Sequence, residues 1–456
     1  MLDQDNALVR ITMRRVYWRV IPLLFLGMFC NYLDRVNIGF AGLTMNHDLG
    51  FSPGVFGFGA SIFFLGYALL GVPSNVMLER FGAKYWIPVI LVFWGAVAAC
   101  TAFVRHAGDF YAVRFLLGMA EAGAMPGFAL YAAQWFPQSY RARAIAGYII
   151  AGQVVGVIGG PLNAYLMHHF DSFGGLHGWQ WLFIIEGIAT MFVGVMLLVG
   201  LPGKPGLARW LSAEQRGWLQ RTLDQERVAA ERIRKFRLVE VLFDGRIYWL
   251  AGMFGSALVG IYGFMIWLPQ IVKAMGHMSL MQVGVLSVLP PLMGVLGQLL
   301  VGYSSDRTGD RKYHLAAVYF LAAVCIALSA YTGDKVLAFA FLCAAGFGIF
   351  GGNPLFWSLA SSMMTGTAGA IAVAYVNSLA QFGGLVGPWM LGAVKGATGS
   401  FTDALYVIAG FAALAGVMAL LLRIEPRLPG GMQTGEKPEA NVKPVAGGLK
   451  RSMQAT

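Results

Sequence analysis

Twelve mainly apolar stretches, each about 20 residues or longer, follow one another along a chain of 456 residues. They lie at about 18–43, 53–78, 85–104, 109–135, 144–168, 180–201, 247–274, 281–303, 313–332, 336–361, 368–396 and 402–423. A helix rising 1.5 Å per residue needs about 20 such residues to cross a hydrocarbon layer roughly 30 Å thick. In lipid each backbone N–H and C=O needs a partner within the protein, and unbroken runs of this length are helical. Charged residues make up only 12% of the chain, against about 25% in soluble domains. The expected fold class is all-α integral membrane, with twelve transmembrane helices.

The net charge of +11 invites a nucleic-acid reading, which its distribution excludes. Of the 33 Lys and Arg, 27 fall on the N-terminal arm, on alternate loops and on the C-terminal tail. That bias places those segments, and both termini, on the cytoplasmic side. The basic start before Ile21 imitates a secretory leader, but no small-residue cleavage site follows and the apolar run continues. Residues 1–17 are expected to be a cytoplasmic arm. Residues 202–246 carry both charge signs and should form a linker with short amphipathic helices; residues 424–456 should be a disordered tail. The four cysteines all fall within spans and read as small buried apolar residues. No metal spacing or cofactor motif is present, and His168, His169 and His177, clustered outside the spans, make a poor metal site.

The two halves repeat at one offset. Glu79-Arg80-Phe-Gly82 matches Asp306-Arg307-Thr-Gly309, 227 residues later, and Gly156…Gly160-Pro161 matches Gly383…Gly387-Pro388 at the same distance. The reading is therefore two pseudo-symmetric six-helix bundles, 18–201 and 247–423, with a site at mid-membrane between them. The buried charges do not repeat. Asp34 and Arg35 correspond to Ile261 and Tyr262, and Arg114 and Glu121 to Phe341 and Gly348. Repeated loop motifs and glycines read as scaffold; unrepeated charges read as function.

These motifs resemble a known family. Gly302-Tyr-Ser-Ser-Asp306-Arg307-Thr-Gly309-Asp-Arg311-Lys312 is similar to the loop signature of the major facilitator superfamily. Asn31-Tyr-Leu-Asp34-Arg35-Val-Asn37-Ile-Gly39 resembles the first-span motif of its anion:cation symporter family. So do Arg114-Phe-Leu-Leu-Gly118-Met-Ala-Glu121-Ala-Gly123-Ala-Met-Pro126, Trp135-Phe136-Pro137 and Trp179-Gln-Trp181-Leu-Phe-Ile-Ile-Glu186-Gly187. The resemblance covers residues 18–423. It implies the major facilitator fold and transport of an organic anion, with bacterial members coupling it to protons. The absence of an arginine from the seventh span and of a histidine from the second separates the chain from the vesicular glutamate carriers, so the bacterial carboxylate branch fits better.

A charge inside a span costs roughly 2.5–3.5 kcal/mol on insertion scales and is by default a functional hypothesis. Asp34 and Arg35 are the first such pair: the arginine either holds the acid ionised or takes a substrate carboxylate two-pronged, leaving Asp34 to bind a proton. The competing reading is a permanent pair that fixes packing. Arg114 and Glu121, seven apart, share a helix face, with Gly118 between them leaving room for a neighbour or ligand. The resemblance assigns proton coupling to Glu121 and an anion or coupling role to Arg114. It also places Tyr32, Tyr67 and Gln153 from the first half, and Trp357, Ser358 and Asn377 from the second, facing substrate. Glu186 matches a family motif and has no assigned role. Glu79, Arg80, Asp306, Arg307, Gly309 and Arg311 are read as a cytoplasmic clamp in the outward-open state.

The expected function is import of a small organic carboxylate (a sugar acid, tartrate-like or aromatic acid) with protons by alternating access across an inner membrane. The expected partners are the anion, protons and the bilayer, with no nucleic acid, no cofactor and a monomeric chain. The alternatives are an anion exchanger and a non-transporting nutrient sensor. No nucleophile–base set or phosphate loop supports an enzyme.

Overall fold

The computed structural model describes residues 2–233, 244–364 and 367–422. Arg234, Lys235 and Arg237 of the linker and the tail read as disordered lie outside them. The described residues form helices α1 (Leu2–Asp48), α2 (Pro53–Phe81), α3 (Ala83–Cys100), α4 (Ala107–Glu121), α5 (Ala124–Trp135), α6 (Gln138–Ile149), α7 (Ala151–His169) and α8 (Gly178–Gly200). After α9 (Ala213–Ile233) follow α10 (Gly245–Ala274), α11 (Leu280–Leu286), α12 (Leu289–Thr308), α13 (Lys312–Tyr331), α14 (Lys335–Met363), α15 (Thr367–Ala380), α16 (Phe382–Thr398) and α17 (Phe401–Leu421).

Eleven of the expected spans are helical stretches long and apolar enough to cross a membrane. The remaining one, 368–396, is α15 and α16 broken at Gln381, each helix shorter than 18 residues. Three other spans are also interrupted: the fourth at Ala122–Gly123, the fifth at Ile150 and the eighth at Ser287–Val288. The last break has a direct cause. Pro290 and Pro291 follow it, and proline is accepted in the first turn of a helix but not in its interior.

The N-terminal arm is part of α1 rather than a separate segment. Thr12, Met13, Val16 and Val20 are buried, whereas Arg14, Arg15 and Arg19 are exposed. This spacing of three and four residues makes the arm one amphipathic extension of the first span. The linker helix α9 docks beneath the first half. Glu226 accepts from the Gln138 backbone N–H at 2.9 Å and pairs with Arg141 at 3.3 Å, and Trp210 stacks on Trp135.

Packing repeats between the halves. α3 lies on α8 as α13 lies on α17, α2 on α4 as α12 on α14, and α1 on α7 as α10 on α16. The halves meet through α1–α10, α2–α16 and α7 against α11 and α12. These contacts lie from the level of Arg35 towards the α1–α2 loop. A Cβ on Gly39 would sit 2.6 Å from the Ile266 carbonyl oxygen, one on Gly57 2.6 Å from that of Pro388, and one on Gly160 2.6 Å from that of Gly284. Only glycine permits such an approach. Phe56 meets Trp267 edge-to-face at 5.0 Å, and Asn46 donates to Gln270 at 3.4 Å. Towards the basic loops the spacing differs: Gly71 and Gly302 have open space beside them. The molecule is thus closed at the α1–α2 loop end.

The repeated loop motifs sit at the other end. Gly309 closes α12 in the left-handed conformation (φ 71°), which explains glycine at that position. Arg311 lies 3.9 Å from Asp306 and donates to the Ser358 carbonyl at 3.4 Å. Glu79, Arg80, Asp306 and Arg307 are exposed, and none makes an ion pair to the opposite half among the described residues.

Candidate functional site

Successive residues on a helix point about 100° apart. That elementary fact divides the Asn31–Asn37 stretch into two faces. Asn31 and Arg35, four apart, face α4. Asp34 and Asn37, three apart, face α8.

On the first face, Glu121 receives three donors on a single oxygen. Its Oε1 accepts from Asn31 Nδ2 at 2.6 Å, from Arg35 Nε at 2.8 Å and from Arg35 Nη2 at 2.5 Å. Its Oε2 is buried without a partner. Arg35 also donates through Nη1 to Tyr262 Oη at 3.1 Å. Arg35 and Tyr262 are counterparts in the internal repeat, 227 residues apart. Residues related by a pseudo-two-fold can touch only near its axis, so this bond marks the centre of the molecule. The guanidinium lies over the rings of Tyr67 at 5.5 Å and Phe63 at 5.8 Å. Arg35 keeps 15% of its side chain accessible, against 1% for Glu121.

The expected Asp34–Arg35 pair does not form. Being adjacent, the two side chains leave α1 in different directions. Asp34, 3% exposed, accepts from Asn37 Nδ2 at 2.9 Å, and the same nitrogen donates to Glu186 Oε2 at 2.8 Å. Asn163 of α7 completes the group. In the amide orientation that satisfies both neighbours, it donates to Glu186 Oε1 at 2.7 Å and to the Gly159 carbonyl at 3.1 Å.

Arg114 is buried at 3% exposure, above the Phe63 ring at 5.2 Å, with Nε unpartnered. No hydrogen bond joins it to Glu121 among the described residues, although they share a face of α4. The space expected at Gly118 is taken by α2: a Cβ there would strike the Phe63 carbonyl. This close approach carries Phe63 and Tyr67 to the two arginines.

The other candidates divide by level. Tyr32 packs on Gly152, and Gln153 donates across the interface to Gln298 at 3.3 Å. Trp357 packs on Phe254 and Phe356, both at 5.0 Å. Asn377 is half-buried on α15. Ser358 lies level with the α12–α13 loop through its carbonyl bond to Arg311, not beside Arg35. Sequence reasoning missed the Asn31, Asn37 and Asn163 bridges and the pairing of Glu186 with Asp34. The spacings 31/35 and 34/37 were the available signal.

Among the described residues no group of three His, Cys, Asp or Glu could hold a metal ion. The four cysteines are unpaired.

The profile of the Major Facilitator Superfamily matches residues 24–388. A putative tartrate transporter of Agrobacterium vitis is 40% identical over 417 residues, covering 91% of this chain and 92% of that one. The putative metabolite transport protein NicT of Pseudomonas putida is 38% identical, covering 87% and 91%. The probable galactarate/D-glucarate transporter GudP of Bacillus subtilis is 30% identical, covering 90% and 92%. Among solved structures, a bacterial homologue of the human lysosomal transporter Spinster, inward-facing and occupied, superposes with a TM-score of 0.72 at 15% identity, covering 88% of this chain and 96% of that chain. The D-xylose–proton symporter does so with 0.70 at 17%, covering 88% and 97%. At such identities the two structures speak for the fold alone, whereas the profile and the sequence relatives speak for descent. The chain is a multi-pass membrane protein of the major facilitator superfamily, a family of transporters rather than enzymes.

Proposed function

We propose that this transporter imports a small organic carboxylate together with protons, by alternating access, across a bacterial inner membrane with both termini in the cytoplasm. The names of two of the relatives, tartrate and galactarate/D-glucarate transporters, support a carboxylate as the transported class. The observation that carries the mechanism is the Arg35–Glu121 pair. Arg35 is the partly accessible member, and Glu121 is dry and holds all its donors on one oxygen.

An incoming carboxylate competes for the guanidinium edge that Glu121 occupies, because a carboxylate and an arginine form paired charge-assisted hydrogen bonds. Glu121 then loses its counter-charge in a desolvated site, where the neutral acid is favoured, and takes a proton. Release of the anion restores the pair and expels the proton. Arg114, beside the same ring and with a free donor, is the second anion-attracting group. Tyr32, Tyr67, Gln153, Trp357 and Asn377 are the proposed substrate walls. With the basic loops inside, closure at the α1–α2 loop end corresponds to an inward-open state. The exposed Glu79, Arg80 and Asp306 then await the opposite state, in which they form the clamp.

Asp34 belongs to a second proton-binding group. With two protons per monoanion, uptake moves net positive charge and gains roughly 2.3 kcal/mol per 100 mV. The test is electrical: protein in liposomes on a sensor surface, challenged with tartrate, D-glucarate, nicotinate, phthalate and hydroxyphenylacetate. The expected result is an inward positive current for one of these classes. Folded protein that gives neither a current with the monoanions nor pH-driven uptake of the dianions, whose two charges two protons would cancel, would overturn the proposal.

A further inference from the structure

Three carboxyl groups and two guanidinium groups are enclosed at the centre of the described residues: Asp34, Glu121 and Glu186 against Arg35 and Arg114. Arg35 is committed to Glu121. If every acid were ionised, this centre would hold one negative charge too many. A buried charge without a counter-charge is strongly disfavoured and is removed by protonation.

The excess falls on one spot. Asp34 and Glu186 meet through a single donor, Asn37 Nδ2, which lies 2.9 Å from Asp34 Oδ1 and 2.8 Å from Glu186 Oε2. Two further atoms there lack a hydrogen. Asp34 Oδ2 has no partner, and neither has the carbonyl oxygen of Asn37, a side chain only 1% exposed. A carboxylate oxygen and an amide oxygen are both acceptors; the indole N–H of Trp94 is the neutral donor on the Asp34 side, and the Asn37 oxygen is left without a donor hydrogen.

The one cation facing the pair, Arg114, is already counted in that balance. The charged and titratable groups facing the pair are Glu121 and Arg114 from α4 and Cys30 from α1. Trp94 of α3, Asn163 of α7 and Thr190 of α8 add only neutral dipoles. Arg114 lies over Phe63, its charge is felt by both Glu121 and Asp34, and it makes no hydrogen bond to either among the described residues.

We infer that Asp34 and Glu186 act as one site that holds a single proton between them, bridged by Asn37 and separate from the Glu121 site. This gives Glu186 a role as the partner that obliges Asp34 to share a proton. The second proton of the cycle is then held on the α8 face of α1, away from the anion's arginine. The use of that proton in coupling rests on the transport reading above; its location does not.

Infrared spectroscopy of the purified full-length chain in an alkyl maltoside detergent, which has no carbonyl group, at neutral pH tests the location directly. The expected spectrum shows the C=O band of a protonated carboxylic acid, moving on transfer to heavy water. The band is lost in Glu186→Gln and in Asp34→Asn, because each substitution removes the excess charge. Absence of the band from the wild type, or its persistence in either variant, overturns the inference. Should those variants not yield folded protein, Glu121→Asp, which keeps the charge count, decides: a band at the wild-type frequency supports the shared site, and a displaced band would place the proton on the side chain at position 121 instead. A chain that keeps the band but gives neither a current with the monoanions nor pH-driven uptake of the dianions would refute the transport reading and leave the shared proton standing.

Discussion

A side chain at Gly57 should shift the molecule towards its other state. Gly57 on α2 sits against α16, and a Cβ built there lies 2.6 Å from the Pro388 carbonyl oxygen and 2.9 Å from the Gly392 Cα. Both obstacles are backbone, so no rotamer change relieves them. Ordinary contact begins near 3.4 Å, so the helices must part by about 0.8 Å at this point. Overpacking of this kind costs about 1–3 kcal/mol. The cost falls on the state in which α2 and α16 touch, and the equilibrium should move by roughly 5- to 150-fold. Spin labels on the α2–α3 and α12–α13 loops report the change: in Gly57→Ala the distance distribution should shift towards shorter values as that end closes. An unchanged distribution in stable, folded Gly57→Ala would refute the reasoning, since it would mean that the tight contact belongs to both states.

Further outcomes follow from the central network. Glu121→Gln keeps a side chain able to accept from Asn31 and Arg35 but cannot release a proton. Accumulation driven by a pH gradient should be lost while anion exchange persists, and equal loss of both in liposome flux assays would count against the role. Tyr262→Phe removes one hydrogen bond to Arg35, worth about 1–1.5 kcal/mol, and should weaken apparent anion affinity about 5- to 10-fold in titrations of the transport current. Arg35→Lys exchanges a fork for a point charge. It should raise the KM at least about tenfold with thermal stability close to that of the wild type, whereas Arg35→Ala strands Glu121 and should also lower stability by about 3–5 kcal/mol.

Much of the architecture was legible because the membrane imposes simple rules. Run length gave the spans, Lys and Arg gave the expected sidedness, and the 227-residue repeat gave the pseudo-symmetry that the paired packing of α3–α8 with α13–α17 displays. The interruptions were less legible. Gln381 and Ile150 carry no breaker chemistry, whereas Pro290 does. At the site, residue types were legible and partners were not. Reading Asp34 and Arg35 as a pair followed sequence adjacency, but a helix sends neighbours to different faces. Helical spacing within α1 separates Asn31 and Arg35 from Asp34 and Asn37. Which helices meet those faces is a tertiary fact, so Glu121 and Glu186 could be assigned to them only with the packing of α4 and α8 in view. Arg114 illustrates the same limit. Its shared face with Glu121 is real, yet the α2–α4 approach at Gly118 sets Phe63 beneath it.

The most direct test of the account is the proton taken up when the anion binds. Purified protein in weakly buffered detergent solution with a pH-indicator dye is titrated to saturation with whichever carboxylate gives the largest current. The wild type should take up a proton from solution on binding, and Glu121→Gln should bind the same anion without that uptake. Saturable binding to the wild type with no proton uptake, or equal uptake by Glu121→Gln, would contradict the claim that the anion displaces Glu121 from Arg35.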